Sequence, residues 1–144
     1  MNIPLPSDTV FHTIESTIKE YRKFSQKNIS NKISDITIDQ GMILLYLNKY
    51  PELTQKEIAR LVFKDNASLT RMINLMVKKK YLKRLMNEQD RRRYKIEITS
   101  KGKEILVKLS LIISDNRNKS LKRITQKELQ QLETILNKIK FNLK

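Results

Sequence analysis

Residues 66–99 read Asn66-Ala-Ser68-Leu69-Thr70-Arg71-Met72-Ile73-Asn74-Leu-Met76-Val-Lys78-Lys79-Lys80-Tyr81-Leu82-Lys-Arg84-Leu-Met86-Asn-Glu88-Gln-Asp90-Arg91-Arg92-Arg93-Tyr94-Lys95-Ile96-Glu97-Ile98-Thr99. Two periods meet in this stretch. Leu69, Met72, Ile73 and Met76 recur at three- and four-residue steps, the stripe of a helix with one buried face. Asp65 or Asn66 caps it. After Tyr81 the period falls to two. Tyr94, Ile96 and Ile98 alternate with Lys95 and Glu97, residues 82–86 form the facing strand, and residues 87–92 are the polar turn between them. A helix running into a charged hairpin is thereby predicted.

Upstream, Thr54-Gln-Lys-Glu57 is a capping box: the Thr54 hydroxyl accepts from the Glu57 N–H and the Glu57 side chain returns to the Thr54 N–H. It opens a short helix whose inward residues are Ile58, Leu61 and Val62. Residues 63–66 break it. Before it, residues 38–50 form a helix capped by Thr37 or Asp39, closed by Pro51 and apolar nearly all round at 42–47. Such a helix belongs at the centre of a core. Residues 10–26 form another, with Phe11, Ile14, Ile18 and Tyr21 on one stripe, flanked by Val10 and Phe24, and polar residues 28–35 end it. Downstream, Ser100 caps a long helix bearing Ile105, Leu109, Ile112 and Ile113, with a point of interruption at the polar residues 115–119. Thr125-Gln-Lys-Glu128 is a second capping box. It opens a last helix striped by Leu129, Leu132, Leu136, Ile139 and Leu143.

Two short helices joined by a tight turn, the second opening with small polar residues, make a helix-turn-helix. With the hairpin it spans residues 38–99. The second helix fits the major groove of DNA. Asn66, Ser68, Thr70, Arg71 and Asn74 lie on its outward face or at its mouth and carry base-reading chemistry: Asn pairs with adenine and Arg with guanine. Arg91, Arg92 and Arg93 at the hairpin tip suit a phosphate track or the minor groove.

The charge agrees. The 144 residues carry 30 Lys+Arg against 15 Asp+Glu, a net +15. Residues 71–103 alone hold 12 basic and 3 acidic side chains, so 33 residues carry more than half of the excess. A polyanionic partner explains that concentration most simply.

Other functions are disfavoured. With no Cys there is no disulfide, thiolate nucleophile or cysteinyl zinc site, and one His makes no metal cluster. Two Gly cannot form a glycine-rich phosphate loop. No cofactor is expected. The longest apolar run, residues 42–47, is far short of a membrane span, and residues 1–8 do not read as a signal peptide. A soluble, cytoplasmic protein is the expectation.

These motifs resemble the MarR family of transcriptional regulators. Asp90-Arg91-Arg92 followed by Ile98-Thr99 has the spacing of that family's wing, and Thr99-Ser-Lys-Gly102 its entry to the next helix. Leu53-Thr54-Gln55 with Ile58-Ala59, and Ser68-Leu69-Thr70-Arg71, match its two helix-turn-helix helices. The resemblance extends in element order over the whole chain. It implies a mainly α fold with a small β-hairpin wing: a winged helix-turn-helix lobe (38–99) flanked by dimerisation helices (1–30 and 100–144). It further implies a homodimer on near-palindromic double-stranded DNA, acting as a repressor, with Asp90 ion-paired to the wing arginines and Arg91 or Arg92 in the minor groove. Members of the family that sense ligands take small aromatic or anionic effectors between the dimer helices and the DNA-binding lobe. The absent Cys excludes the branch that senses peroxide through a thiol. One departure is Lys80, where the family usually has Gly. A left-handed helix end there is costly for Lys.

His12, Tyr21 and Tyr46 are the candidate effector contacts, His12 beside the apolar stripe of the first helix at a dimer junction and the two tyrosines between the first two helices. For His12 a structural or exposed role fits better, since one His without clustered carboxylates lacks a ligand set. For Tyr21, Phe24, Tyr46 and Tyr50, core packing fits better than a pocket lining. The alternative to a sequence-specific regulator is an architectural protein that coats nucleic acid without reading it. Base-reading side chains at 66–74 argue against that alternative.

Overall fold

The computed structural model describes residues 1–86, 88–90 and 94–144. After a single 3-10 turn at Pro6–Asp8 come α1 (Val10–Lys32), α2 (Ile38–Lys49), α3 (Gln55–Leu61), α4 (Asn66–Lys78), β1 (Leu82–Met86), β2 (Tyr94–Ile98), α5 (Ser100–Ser120) and α6 (Gln126–Asn142). The strands pair antiparallel in the register Leu82↔Ile98, Arg84↔Ile96 and Met86↔Tyr94.

α2 is the central helix, as its apolar middle requires. Ile43, Leu44 and Leu47 are buried, and around them pack Ile58 and Val62 of α3, Leu69, Ile73 and Met76 of α4, Leu82, Ile96 and Ile98 of the hairpin, and Leu106, Leu109 and Ile112 of α5. Thr37 rather than Asp39 caps α2. It forms a capping box with Gln40, which frees the Asp39 carboxylate for ion pairs.

Several expectations are corrected. α1 does not end near residue 26 but runs through Lys32, because Ile29 and Ile33 carry an apolar stripe across the polar residues into the core. α5 is not interrupted at 115–119. There Asn116 turns inward and its Oδ1 accepts a hydrogen bond from Asn28 Nδ2 at 2.8 Å. Two residues that read as helix breakers are thus joined across the α1–α5 contact. Thr99, not Ser100, caps α5: its hydroxyl accepts from the Gly102 N–H at 3.0 Å. Only half of the first capping box forms. Thr54 Oγ1 accepts from the Glu57 N–H, but the Glu57 carboxylate takes the Thr54 hydroxyl instead of its N–H. In α3 the buried pair is Ile58 and Ala59, while Leu61 is exposed.

Lys80 adopts the left-handed conformation, φ 66°. The Tyr81 N–H bonds to the Met76 carbonyl and the Lys80 N–H to the Val77 carbonyl, both at 2.9 Å. That double closure ends α4 as a Gly would, at the cost of a Cβ in a crowded region. The chain then turns straight into β1. At Gly102 the reason for glycine is close approach, since a Cβ there would lie 2.3 Å from the Tyr81 carbonyl oxygen.

The ends of the chain are covered less. Within α1 only Ser25 and Ile29 are buried, and α6 buries no residue. Phe11 and Ile18 on α1, and Leu132, Ile135 and Phe141 on α6, are at least half exposed.

Candidate nucleic-acid interface

The turn between α3 and α4 sets the site. α3 ends at Leu61 with Val62 as its C-cap, and Phe63 takes a left-handed φ of 58°. The Lys64 N–H returns to the Ala59 carbonyl at 2.9 Å. Asp65 follows at once and caps α4, its Oδ1 accepting the Ser68 N–H at 2.7 Å. Nothing intervenes between the two helices beyond this closure, so α3 and α4 are joined by the tight turn of a helix-turn-helix and pack against each other.

α4 buries Leu69, Ile73 and Met76 and half-buries Met72, as its stripe predicts. The opposite face carries Asn66, Arg71 and Asn74, all exposed, with Ser68 and Thr70 half-buried at its edge. The structure brings these five side chains onto one side of one helix but engages them differently. The Thr70 hydroxyl donates to the Asn66 carbonyl at 2.8 Å and accepts from Gln55 Nε2 at 2.6 Å. It holds the start of α3 against α4 and has no hydrogen left to give. Ser68 Oγ accepts from Arg71 Nη2 at 3.2 Å. Asn74 Oδ1 accepts from Arg84 Nη2 of β1.

Arg71 and Arg84 therefore spend these hydrogen bonds on neutral side chains, which leaves their charge uncancelled by those partners. By contrast Lys83 and Lys95 of the hairpin face Glu97 and Glu52, at 3.9 and 3.0 Å. The Asp65 carboxyl is held below its ordinary pKa, first by the Ser68 backbone N–H and its hydroxyl, and also by the Arg71 charge. A carboxylate thus stays ionised at the mouth of α4.

Gln55 and Arg84 were not among the candidate DNA contacts read from the sequence. For Arg84 a signal existed. Directly paired residues of an antiparallel ladder share a face, so Arg84 opposite buried Ile96, and two residues after buried Leu82, points toward α4 rather than to open solvent. Gln55 had none, because its contact to Thr70 crosses the turn.

Asp90 is half-buried. Arg91, Arg92 and Arg93 lie outside the described residues. His12 is exposed near the start of α1, while Tyr21 and Tyr46 are half-buried, Tyr46 packing on the core. A groove of about 320 Å³ between α2, β2 and α5, lined by Leu47, Pro51, Lys95, Ile96 and Lys103, includes none of the three. Among the described residues no group of three or more His, Asp or Glu could hold a metal ion, and no helix is long and apolar enough to cross a membrane.

Comparison with known proteins agrees with this geometry. Residues 34–93 match the family model described as MarR family. The chain is 32% identical over 114 residues to the HTH-type transcriptional regulator SarZ of Staphylococcus epidermidis, covering 75% of this chain and 76% of that protein. Its fold matches that of MepR of S. aureus, solved as a DNA complex, with a TM-score of 0.84 at 21% identity over 97% of this chain and 100% of that one. It also matches that of BpsR of Bordetella bronchiseptica, with a TM-score of 0.84 at 16% identity over 96% and 98%. With its helix-turn-helix, its hairpin wing and these relatives, the chain belongs to the MarR family and is a DNA-binding transcriptional regulator.

Proposed function

We propose that this regulator reads a near-palindromic operator as a homodimer and represses by occupying a promoter. The observation that carries the reading is the exposed face of α4. Asn66, Arg71 and Asn74 stand outward on one helix beside a hairpin, and from Arg71 onward lies the segment, residues 71–103, that holds most of the charge excess. Two such helices related by a two-fold axis reach half-sites about one helical turn apart. The lobe of residues 38–99 binds DNA, with Arg91, Arg92 and Arg93 following the backbone or minor groove beside it and Asp90 holding them in place. Residues 1–30 and 100–144 form the dimer, a role favoured by the apolar side chains that α1 and α6 leave exposed.

The protein acts by binding rather than as an enzyme, and works in the cytoplasm beside its DNA. The solved BpsR structure concerns regulation of DNA binding by 6-hydroxynicotinic acid. A small aromatic or anionic effector near His12, Tyr21 and Tyr46 is the corresponding reading for this chain.

Selection of bound duplexes from a random pool at near-physiological salt tests the function. A near-palindrome preferred by ~10³-fold or more over random DNA supports the operator reading. Salt-sensitive binding with no enriched sequence would instead support a coating protein drawn by charge alone.

A further inference from the structure

Asn74 and Arg84 come from different elements, α4 and β1, yet they act on one another before any DNA is present. A guanidinium has only donors. The atom of Asn74 that meets Arg84 Nη2 is therefore its acceptor, Oδ1. The other limb of the amide, the Nδ2 amino group, takes no part in that bond, and Asn74 is exposed on α4.

We propose that Asn74 and Arg84 form a single base-reading unit that presents donors only, and that it selects guanine over adenine in the major groove. The inference rests on the DNA-reading role of α4 proposed above. An isolated Asn pairs with adenine by accepting from its N6 amino group and donating to its N7. Here the accepting oxygen is already held by a cation. A second lone pair remains on it, but an incoming N6 amino group would lie beside guanidinium N–H groups, donor against donor. Guanine presents two acceptors on the same edge, O6 and N7. The Nδ2 amino group and the remaining Arg84 N–H groups match that pattern. Arg84 thus acts as a specificity-determining residue from the wing, by fixing which way the Asn74 amide points.

The test begins with duplex selection on the wild-type protein and on Asn74→Ala, which identifies the base position that depends on Asn74. The expected result is guanine at that position, preferred over adenine by about tenfold or more. Replacing that guanine by 7-deazaguanine, which lacks the N7 acceptor, should weaken wild-type binding about tenfold and needs no altered protein. Arg84→Met frees the Asn74 oxygen and should move the preference toward adenine, whereas Arg84→Lys, which keeps a donor, should retain guanine. Adenine at the Asn74-dependent position of the wild type overturns the proposal. So does an unchanged preference in Arg84→Met whose thermal melting matches wild type. If Asn74→Ala weakens all sequences equally, the pair sits on phosphate and the guanine assignment falls while the operator reading stands. If the wild type enriches no sequence, both fall together.

Discussion

The Arg22 guanidinium on α1 donates to the Asp39 carboxylate on α2 at 2.7 Å, and Lys64 from the helix-turn-helix turn stands 3.3 Å from the other carboxylate oxygen. Asp39 thus ties the long first helix to the turn that aims α4. Its side chain is only 13% exposed, so water replaces a lost partner poorly. Removing the anion leaves two cations facing each other. Asp39→Ala should lower stability by roughly 1–3 kcal/mol. Urea denaturation would show this as a lower midpoint at unchanged slope, and an unmoved midpoint would disprove the structural role assigned to Asp39.

Lys80 gives the opposite sign. A non-glycine residue in the left-handed region is destabilising by roughly 1 kcal/mol. The Lys80 N–H and carbonyl are both used, and a glycine keeps them. Lys80→Gly should therefore raise the melting temperature by about 2–4 °C. A melting point at or below that of the wild type would mean that the lysine side chain contributes more than its backbone costs.

Gly102 tolerates no side chain. A Cβ would press on the Tyr81 carbonyl oxygen at 2.3 Å and on Ile98 Cγ2 at 2.8 Å, and the backbone atom cannot swing aside. Gly102→Ala should cost about 3 kcal/mol. It should also loosen the junction of hairpin and α5, which hydrogen exchange at the amides of Thr99 and Lys103 would detect as faster exchange.

Acid should loosen α4 from its N-terminus. The Asp65 pKa is lowered by the Ser68 hydrogen bonds, so the folded state binds that proton less tightly than the unfolded chain does. The stabilisation is complete above the ordinary carboxylate range and is lost as pH falls through the folded value. Glu128, lowered by its bonds to Thr125, contributes with the same sign at α6. Asp65→Asn keeps a capping oxygen without the titration. Its stability should fall less steeply as pH drops below the ordinary carboxylate range. Equal slopes for the two proteins would remove Asp65 from the account of acid sensitivity.

Arg71 is exposed on α4 and donates to the Ser68 hydroxyl. Arg71→Ala should weaken operator binding by ~1–3 kcal/mol and relax preference at one base position. An equal loss on operator and random DNA would assign it to phosphate instead.

Much of this was legible in residue order. The hairpin strands fall where the two-residue alternation places them, and the inward stripe of α4 is the one its spacing predicts. Thr125 and Glu128 form the box their spacing suggests. What failed was reading polar residues as ends. Asn28 and Asn116 look like breakers, yet each lies inside an unbroken helix. The site was half legible in the same way. The outward face of α4 followed from periodicity, but the contacts that engage Thr70 and Asn74 did not.

The sequence by itself determined the elements, their order and the polyanionic class of the partner, because helix and strand periods, caps and charge density are written in near neighbours. The tertiary structure alone decided which polar groups meet. Asn28 with Asn116, Arg22 with Asp39 and Lys64, and Arg84 with Asn74 are joined across turns and helices. A hydrogen bond depends on distances of a few tenths of an ångström. Those distances exist only once the apolar stripes have packed and brought separate parts of the chain together.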